Sequence, residues 1–198
     1  MVNNKLDFEV LKDKKIIIIH GYTASPEKNW FPWLKSQLEL LGASVIVPKM
    51  PNSQDPDPEC WLQHLNGYQI DLDKNTFFIG HSLGCVTLLR FLTTQDINPC
   101  KIGGYILVSG FTNEQETLPE LKSHTDVTLD YNYLKSISDI RISIISLDDK
   151  IVSPNSSRKL ANLLDTDILT FENAGHFLDS EGYYEFPDIL KLVKENLI

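Results

Sequence analysis

Apolar and polar positions along this chain fall into blocks of two textures. Runs of consecutive β-branched and aromatic residues come first, and stretches with apolar residues at helical spacing follow them. "KKIIIIH" (Lys14 to His20) is an unbroken β-branched run closed by Gly21, which predicts a strand buried on both faces. In "WFPWLKSQLELLG", Leu34, Leu38 and Leu41 stand at i, i+4 and i+7, Pro32 suits a first turn and Gly42 a stop, so a helix is predicted. "SVIVP" (44–48) reads as a second strand, a proline-rich loop follows, and a helix over 59–70 carries Trp61, Leu62 and Leu65 on one side. "TFFIG" (76–80) is the third strand, 83–93 the next helix, and "GGYILVSG" (103–110) the fourth strand. The alternation lapses over 111–139, a polar and aromatic stretch with Pro119, Tyr131 and Tyr133, and a break of that length marks a functional excursion. It resumes with "RISIISL" (141–147), a helix near 155–164, "DILTFE" (167–172) and a last helix near 184–196.

About six short strands alternating with helices predict a mainly parallel sheet with helices on both faces. Right-handed crossovers make it a doubly wound, three-layer α/β sandwich. The expected organisation is one domain over 1–198, with a small cap-like excursion at 111–139. In such sheets the reactive groups collect in loops beyond the carboxyl ends of the strands.

Composition narrows the functional classes. Twenty-seven acidic side chains against 18 basic ones leave a formal charge of −9, a surface that repels phosphate backbones and anionic lipid heads. Nucleic acid and stable membrane association are therefore not expected. The opening segment "MVNNKLDFEVLKDKK" lacks the apolar core of a signal peptide, and no apolar run approaches the ~20 residues of a membrane span. Cys60, Cys85 and Cys100 are an odd set without metal-type spacing, read as reduced thiols packed as small hydrophobes in a cytoplasmic protein. Neither a metal nor an organic cofactor is expected.

The chemistry begins at Gly80-His81-Ser82-Leu83-Gly84, a G-x-S-x-G stretch with a predicted strand before it and a helix after it. A very sharp strand-to-helix turn strains the residue at its tip, and flanking glycines remove Cβ atoms that would collide. The turn lifts the Ser82 hydroxyl above the sheet rim and leaves the Leu83 N–H at a helix N-terminus, where an anion can bind.

A serine hydroxyl needs an adjacent base, and on this scaffold the partners follow in the order serine, acid, histidine. His176 in "ENAGHFL" is the sole histidine beyond the fifth predicted strand, which makes it the expected general base. "SLDDKIVSP" offers Asp148 and Asp149 for the acid. The D-x-x-V spacing to Val152 favours Asp149, and Asp148 remains the alternative. Acyl transfer needs a second oxyanion donor, and "HGYTAS" after the first strand supplies the Tyr22 N–H, with Thr23 second. Trp30, Phe31 and Trp33 read mainly as packing for the first helix. Thr23, His81, Phe111 and Phe177 are candidate pocket residues, with Tyr131 and Tyr133 as further walls from the excursion.

"HGYTASPEKNWFPWL", "GHSLGCVTLLRFL", "GGYILVSGF", "SLDDKIV" and "GHFLDSEGY" together make the chain resemble the YdeN branch of small serine hydrolases, related to retinoblastoma-binding protein nine. The resemblance spans nearly the whole chain. It implies a minimal α/β-hydrolase fold without the usual first strands, and the triad Ser82, Asp149 and His176. One departure stands out: the family tends to place proline directly after D-x-x-V, whereas here Ser153 intervenes before Pro154.

The expected activity is hydrolysis of a small ester, with amide or thioester as variants, through an acyl-enzyme. The alternative is a binding protein on a hydrolase scaffold with little turnover, and a protein partner would belong to that reading. A membrane-surface lipase is disfavoured by the negative charge.

Overall fold

A computed structural model of the chain describes residues 9–97 and 100–197. Residues 1–8 of the opening segment read above lie outside the described residues. The strands are β1 (Lys15–Ile19), β2 (Ser44–Ile46), β3 (Thr76–His81), β4 (Gly104–Val108), β5 (Arg141–Ser146) and β6 (Asp167–Phe171). The helices are α1 (Phe31–Leu40), α2 (Pro58–Gly67), α3 (Leu83–Thr93), α4 (Lys122–Thr125), α5 (Tyr131–Ser136), α6 (Pro154–Leu164) and α7 (Pro187–Leu197).

The strands form one sheet in the order β2-β1-β3-β4-β5-β6, and every neighbouring pair is parallel. Successive strand residues face opposite sides, so the β-branched run of β1 feeds two cores at once. Ile16 and Ile18 join Phe77, Ile79, Val108 and Ile144 beneath α1 and α7. Ile17 and Ile19 join Phe78, Tyr105 and Leu107 beneath Trp61 of α2, the apolar side of α3 and Leu160 of α6. This is the doubly wound parallel sheet that the alternation predicts, and it fits the minimal α/β-hydrolase fold that the resemblance implies.

The chain passes from β1 to β2 on one side and then crosses to β3 on the other side of β1. The reversal leaves a crevice between the carboxyl ends of β1 and β3, where Ile19 stands opposite Gly80. That crevice is where the loops carrying Tyr22 and Ser82 meet.

Element ends differ from the sequence reading where capping decides them. Helix α2 starts at Pro58 because the Asp57 carboxylate accepts the Cys60 N–H at 2.7 Å. It stops at Gly67 rather than running to Ile70. Helix α7 begins at Pro187, not near 184, since proline suits the first turn, where its missing N–H costs nothing.

The 111–139 segment is built rather than coiled. Asp130 caps α5 by accepting the Tyr133 N–H at 2.9 Å. Leu121, Leu129, Leu134 and Ile137 bury themselves in the core that includes α3. The segment therefore supplies part of the helical layer between β4 and β5. Among the described residues, no helix is long and apolar enough to cross a membrane, and no group of acidic, histidine and cysteine side chains is arranged to hold a metal ion. Cys85 is buried as expected, whereas Cys60 and Cys100 are exposed, so the reading of all three as packed hydrophobes holds for Cys85 alone.

Candidate active site

Ser82 sits between β3 and α3 with φ 54° and ψ −122°, a strained conformation for a residue with a side chain. The turn is possible because helix and strand touch without intervening side chains. A Cβ on Gly84 would lie 2.1 Å from the Ile19 carbonyl oxygen, and one on Gly80 would lie 2.9 Å from Cys85 Cα. The Ser82 N–H donates to the Val108 carbonyl at 2.9 Å, which ties the turn to β4.

Gly21 packs directly against this turn. A Cβ there would come within 3.0 Å of Ser82 Cβ and 3.5 Å of the Leu83 nitrogen. The Gly21 carbonyl accepts from His20 Nδ1–H at 2.9 Å and from the Ala24 N–H at 3.4 Å. In a trans peptide the next N–H points the opposite way, so the Tyr22 N–H is turned away from that anchored carbonyl. No hydrogen bond among the described residues uses the Tyr22 or Leu83 N–H. The Thr23 N–H is already spent on the Ser53 carbonyl at 2.8 Å, which selects Tyr22 over Thr23 as the free donor. His20 Nε2 accepts the Met50 N–H at 3.1 Å. Acceptance at Nε2 requires the neutral ring, and burial holds the His20 pKa below the usual histidine value. The sequence reading gave His20 no role; its place at the end of β1 was the available signal.

His176 lies in the loop after β6 and is buried, as is Asp149 in the loop after β5. His176 Nδ1–H donates to Asp149 Oδ2 at 2.8 Å. The same oxygen accepts the Ser109 hydroxyl at 2.8 Å, while Asp149 Oδ1 accepts the N–H groups of Ile151 and Val152, each at 2.9 Å. Burial alone would raise the Asp149 pKa, but these bonds, led by that from His176, hold it below the usual carboxylate range. Val152 is fully buried, so it anchors the acid loop as the D-x-x-V spacing suggests. Ser109, at the end of β4 with φ 47°, went unnoticed in the sequence, although a serine at a strand's carboxyl end is a flag on this scaffold.

Asp148 makes different contacts. Its Oδ1 accepts Ser146 Oγ–H at 2.6 Å and the N–H groups of Ala174 and Gly175, each at 2.9 Å. It bonds the histidine loop's backbone and not the imidazole, which separates the two aspartates that the sequence left open.

Ser82, His176, His81, Gly21, Tyr22 and Thr23 line one cleft of about 210 Å³, rimmed by Lys28 and Asp179. No hydrogen bond joins Ser82 Oγ to His176 Nε2, yet neither atom is sealed from solvent, unlike His81 Nδ1. Such contacts commonly tighten only once substrate binds. His81 Nε2–H donates to the His176 carbonyl at 2.8 Å. Burial, with the neighbouring His176 ring second, pushes the His81 pKa down to about 3, so no extra cation stands beside His176. A larger hollow of about 620 Å³ opens at the amino ends of β1 and β2, the opposite rim, and carries no serine–histidine pair.

Two candidate pocket residues belong elsewhere. Phe111 is fully buried in the core on the α3 side. Phe177 is fully buried beneath α7, stacked on Phe186 with ring centroids 5.1 Å apart. An aromatic beside a site residue points wherever the nearest apolar layer lies, and here both layers are inward. Tyr131 and Tyr133 also do not line the cleft. The Tyr131 hydroxyl meets Thr112 Oγ1 at 3.0 Å, and the Tyr133 hydroxyl accepts the Ile97 N–H at 3.0 Å and donates to the Gln95 carbonyl.

Comparison with known proteins bears on the geometry. The sequence profile of a family described as serine hydrolase matches residues 16–195. The chain is similar to the Bacillus subtilis (strain 168) protein YdeN, 40% identical over 174 residues that span 88% of this chain and 91% of that one. It is also similar to serine hydrolase RBBP9 of Rattus norvegicus, 25% identical over 85% of this chain and 87% of that one. The crystal structure of the ydeN gene product from B. subtilis superposes with a TM-score of 0.89 at 38% identity, covering 92% of this chain and 98% of that one. Est1E from Butyrivibrio proteoclasticus, solved with ferulic acid, superposes at 0.68 with 17% identity over 94% and 87% of the two chains, a likeness of fold.

Proposed function

The chain belongs to the serine hydrolase family, and from that premise we propose that it cleaves small carboxylic esters through an acyl-enzyme on Ser82, with His176 as base and Asp149 as its orienter. The observation that carries the reading is the buried 2.8 Å bond from His176 Nδ1–H to Asp149 Oδ2. It fixes the tautomer whose Nε2 is a bare lone pair, and it leaves that lone pair on the cleft that Ser82 lines.

In this mechanism Ser82 Oγ attacks the carbonyl carbon and its proton passes to His176 Nε2. The carbonyl oxygen becomes an anion held by the Tyr22 and Leu83 N–H groups. As the tetrahedral intermediate collapses, the carbon–oxygen bond to the alcohol breaks and Nε2–H gives that alcohol its proton. Water then attacks the acyl carbon, losing a proton to Nε2, and Ser82 leaves with the proton returned. Asp149 stays ionised throughout and stabilises the transient imidazolium.

A cleft of about 210 Å³ favours a short acyl group. Neither the family nor the fold distinguishes esters from amides or thioesters, so chain length and leaving group are the variables to measure. The decisive experiment is reaction with a fluorophosphonate probe alongside turnover of nitrophenyl esters of graded acyl length. Stoichiometric labelling and hydrolysis of short esters, both abolished by Ser82→Ala, are the expected results. Absence of labelling in folded protein overturns the reading in favour of a binding protein on this scaffold.

A further inference from the structure

His176 lies in the irregular stretch 174–178, between β6 and a single 3-10 turn at Asp179–Glu181. Chain direction there depends on Gly175 and Phe177, both in the left-handed region at φ 54° and 59°. Its backbone N–H groups nonetheless all find acceptors, and two carboxylates supply most of them. Asp148 Oδ1 takes the N–H groups of Ala174 and Gly175 from one side, each at 2.9 Å. Glu181 Oε2 takes those of His176 at 2.7 Å and Leu178 at 3.1 Å from the other. The Phe177 N–H turns back to the Ala174 carbonyl at 3.1 Å, closing the loop on itself.

Gly175 is part of the same arrangement. A Cβ there would lie 2.1 Å from Glu181 Oε1, so the carboxylate occupies the space a side chain would need. Successive N–H groups in such a bend form a concave nest that binds an anion, and here the anions are side chains of the chain itself.

We propose that Asp148 and Glu181 form a two-carboxylate clamp on the 174–178 loop and that, through it, they set the direction of the His176 ring. They are positioning residues, because neither touches the reacting atoms. The inference rests on the reading of His176 as base. The physical need is specific to that role. Asp149 fixes Nδ1, but a ring pivoting about that one bond still sweeps Nε2 across the cleft unless its backbone is held. An error of about 1 Å in a proton-transfer contact costs on the order of 10²-fold in rate.

The test compares Glu181→Ala, Glu181→Gln, Asp148→Ala and Asp148→Asn, with kcat normalised to the fraction of chains labelled by the fluorophosphonate at completion. The alanine variants are expected to lose about 10- to 100-fold in kcat with KM within about twofold, because the ring acts only in the transition state. Glutamine and asparagine keep the accepting oxygen and are expected to recover most of that loss. A downfield His176 Nδ1–H proton resonance, assigned by its absence from His176→Gln, is expected to broaden in the alanine variants and persist in the conservative ones. The proposal is overturned if folded Glu181→Ala and Asp148→Ala keep the wild-type kcat and a sharp resonance, or if the conservative variants are no better than alanine. Should the wild type neither turn over nor take the probe, the catalytic reading fails by itself, and the resonance still reports on the clamp.

Discussion

Asparagine at position 149 is the sharpest single perturbation of this site. The acid accepts four hydrogen bonds, and the change affects them unequally. Oδ1 accepts two backbone N–H groups at 2.9 Å, and the amide oxygen of asparagine takes over that duty without movement. The amide NH2 then falls where Oδ2 met His176 Nδ1–H and the Ser109 hydroxyl, each at 2.8 Å. Two donors cannot face each other, so the imidazole gives up its Nδ1 proton and carries it on Nε2. A protonated neutral Nε2 cannot receive the Ser82 proton. The same tautomer fault in serine proteases lowers turnover by about 10⁴, equivalent to about 5.5 kcal/mol of barrier at 1.36 kcal/mol per decade. The assay is hydrolysis of a short nitrophenyl ester by Asp149→Asn and Asp148→Asn, each with its melting curve. Asp148→Asn retains the oxygen that serves Ala174 and Gly175, and its expected loss is under about tenfold. A folded Asp149→Asn protein with more than about a tenth of wild-type activity would refute the reasoning, as would the two variants exchanging places.

Other consequences are as concrete. Gly84→Ala drives a Cβ to 2.1 Å from the Ile19 carbonyl, where only backbone can yield. Its expected cost lies at or above the top of the ~1–3 kcal/mol range for overpacking, a drop of several degrees in Tm, whereas Gly67→Ala, with nothing within 4 Å, is expected to leave Tm unchanged or slightly raised. Ser109→Ala removes one donor from a buried carboxylate, and is expected to cost about 1.5–3 kcal/mol in urea unfolding. His20, His81 and His124 all have pKa values lowered, each chiefly by burial. The unfolded chain therefore binds more protons than the folded one below the unfolded histidine pKa near 6.5. The stability contribution is complete above that pH and falls as pH drops toward the folded values, by up to about 1.4 kcal/mol per pH unit per histidine. Tm is expected to hold nearly level from pH 7.5 to about 6.5 and to decline from there to pH 5, and a profile that stays flat below 6.5 would contradict the buried neutral state. His20→Phe releases the Gly21 carbonyl and the Met50 N–H together, and is expected to lower kcat by about tenfold or more through misdirection of the Tyr22 N–H, visible as a loss in kcat/KM for every ester tested.

Local sequence carried the sheet and the strained turn at Ser82. A β-branched run such as Ile16 to Ile19 has few alternatives to a doubly covered strand. The glycines around Ser82 announce a turn that only a strand–helix corner needs, because the restriction is a matter of backbone collision within a few residues. Position beyond the fifth predicted strand singled out His176, and the fold sets it against Asp149 and on the same cleft as Ser82. What remained open was anything decided by direction in space. Asp148 and Asp149 are chemically identical neighbours, and one backbone step sends one to the imidazole and the other to the loop amides. Tyr22 and Thr23 differ only in which N–H the Ser53 carbonyl consumes, a partner 30 positions away from Thr23. Phe111 and Phe177 sit next to site elements in the chain and point into the two cores. Glu181 becomes visible only when Gly175 leaves room for it. Sequence periodicity records which residues share a face, since that depends on the regular geometry of strand and helix. The partner of a polar group is set by how separate loops meet at one rim of the sheet, and that is a property of the packed fold alone.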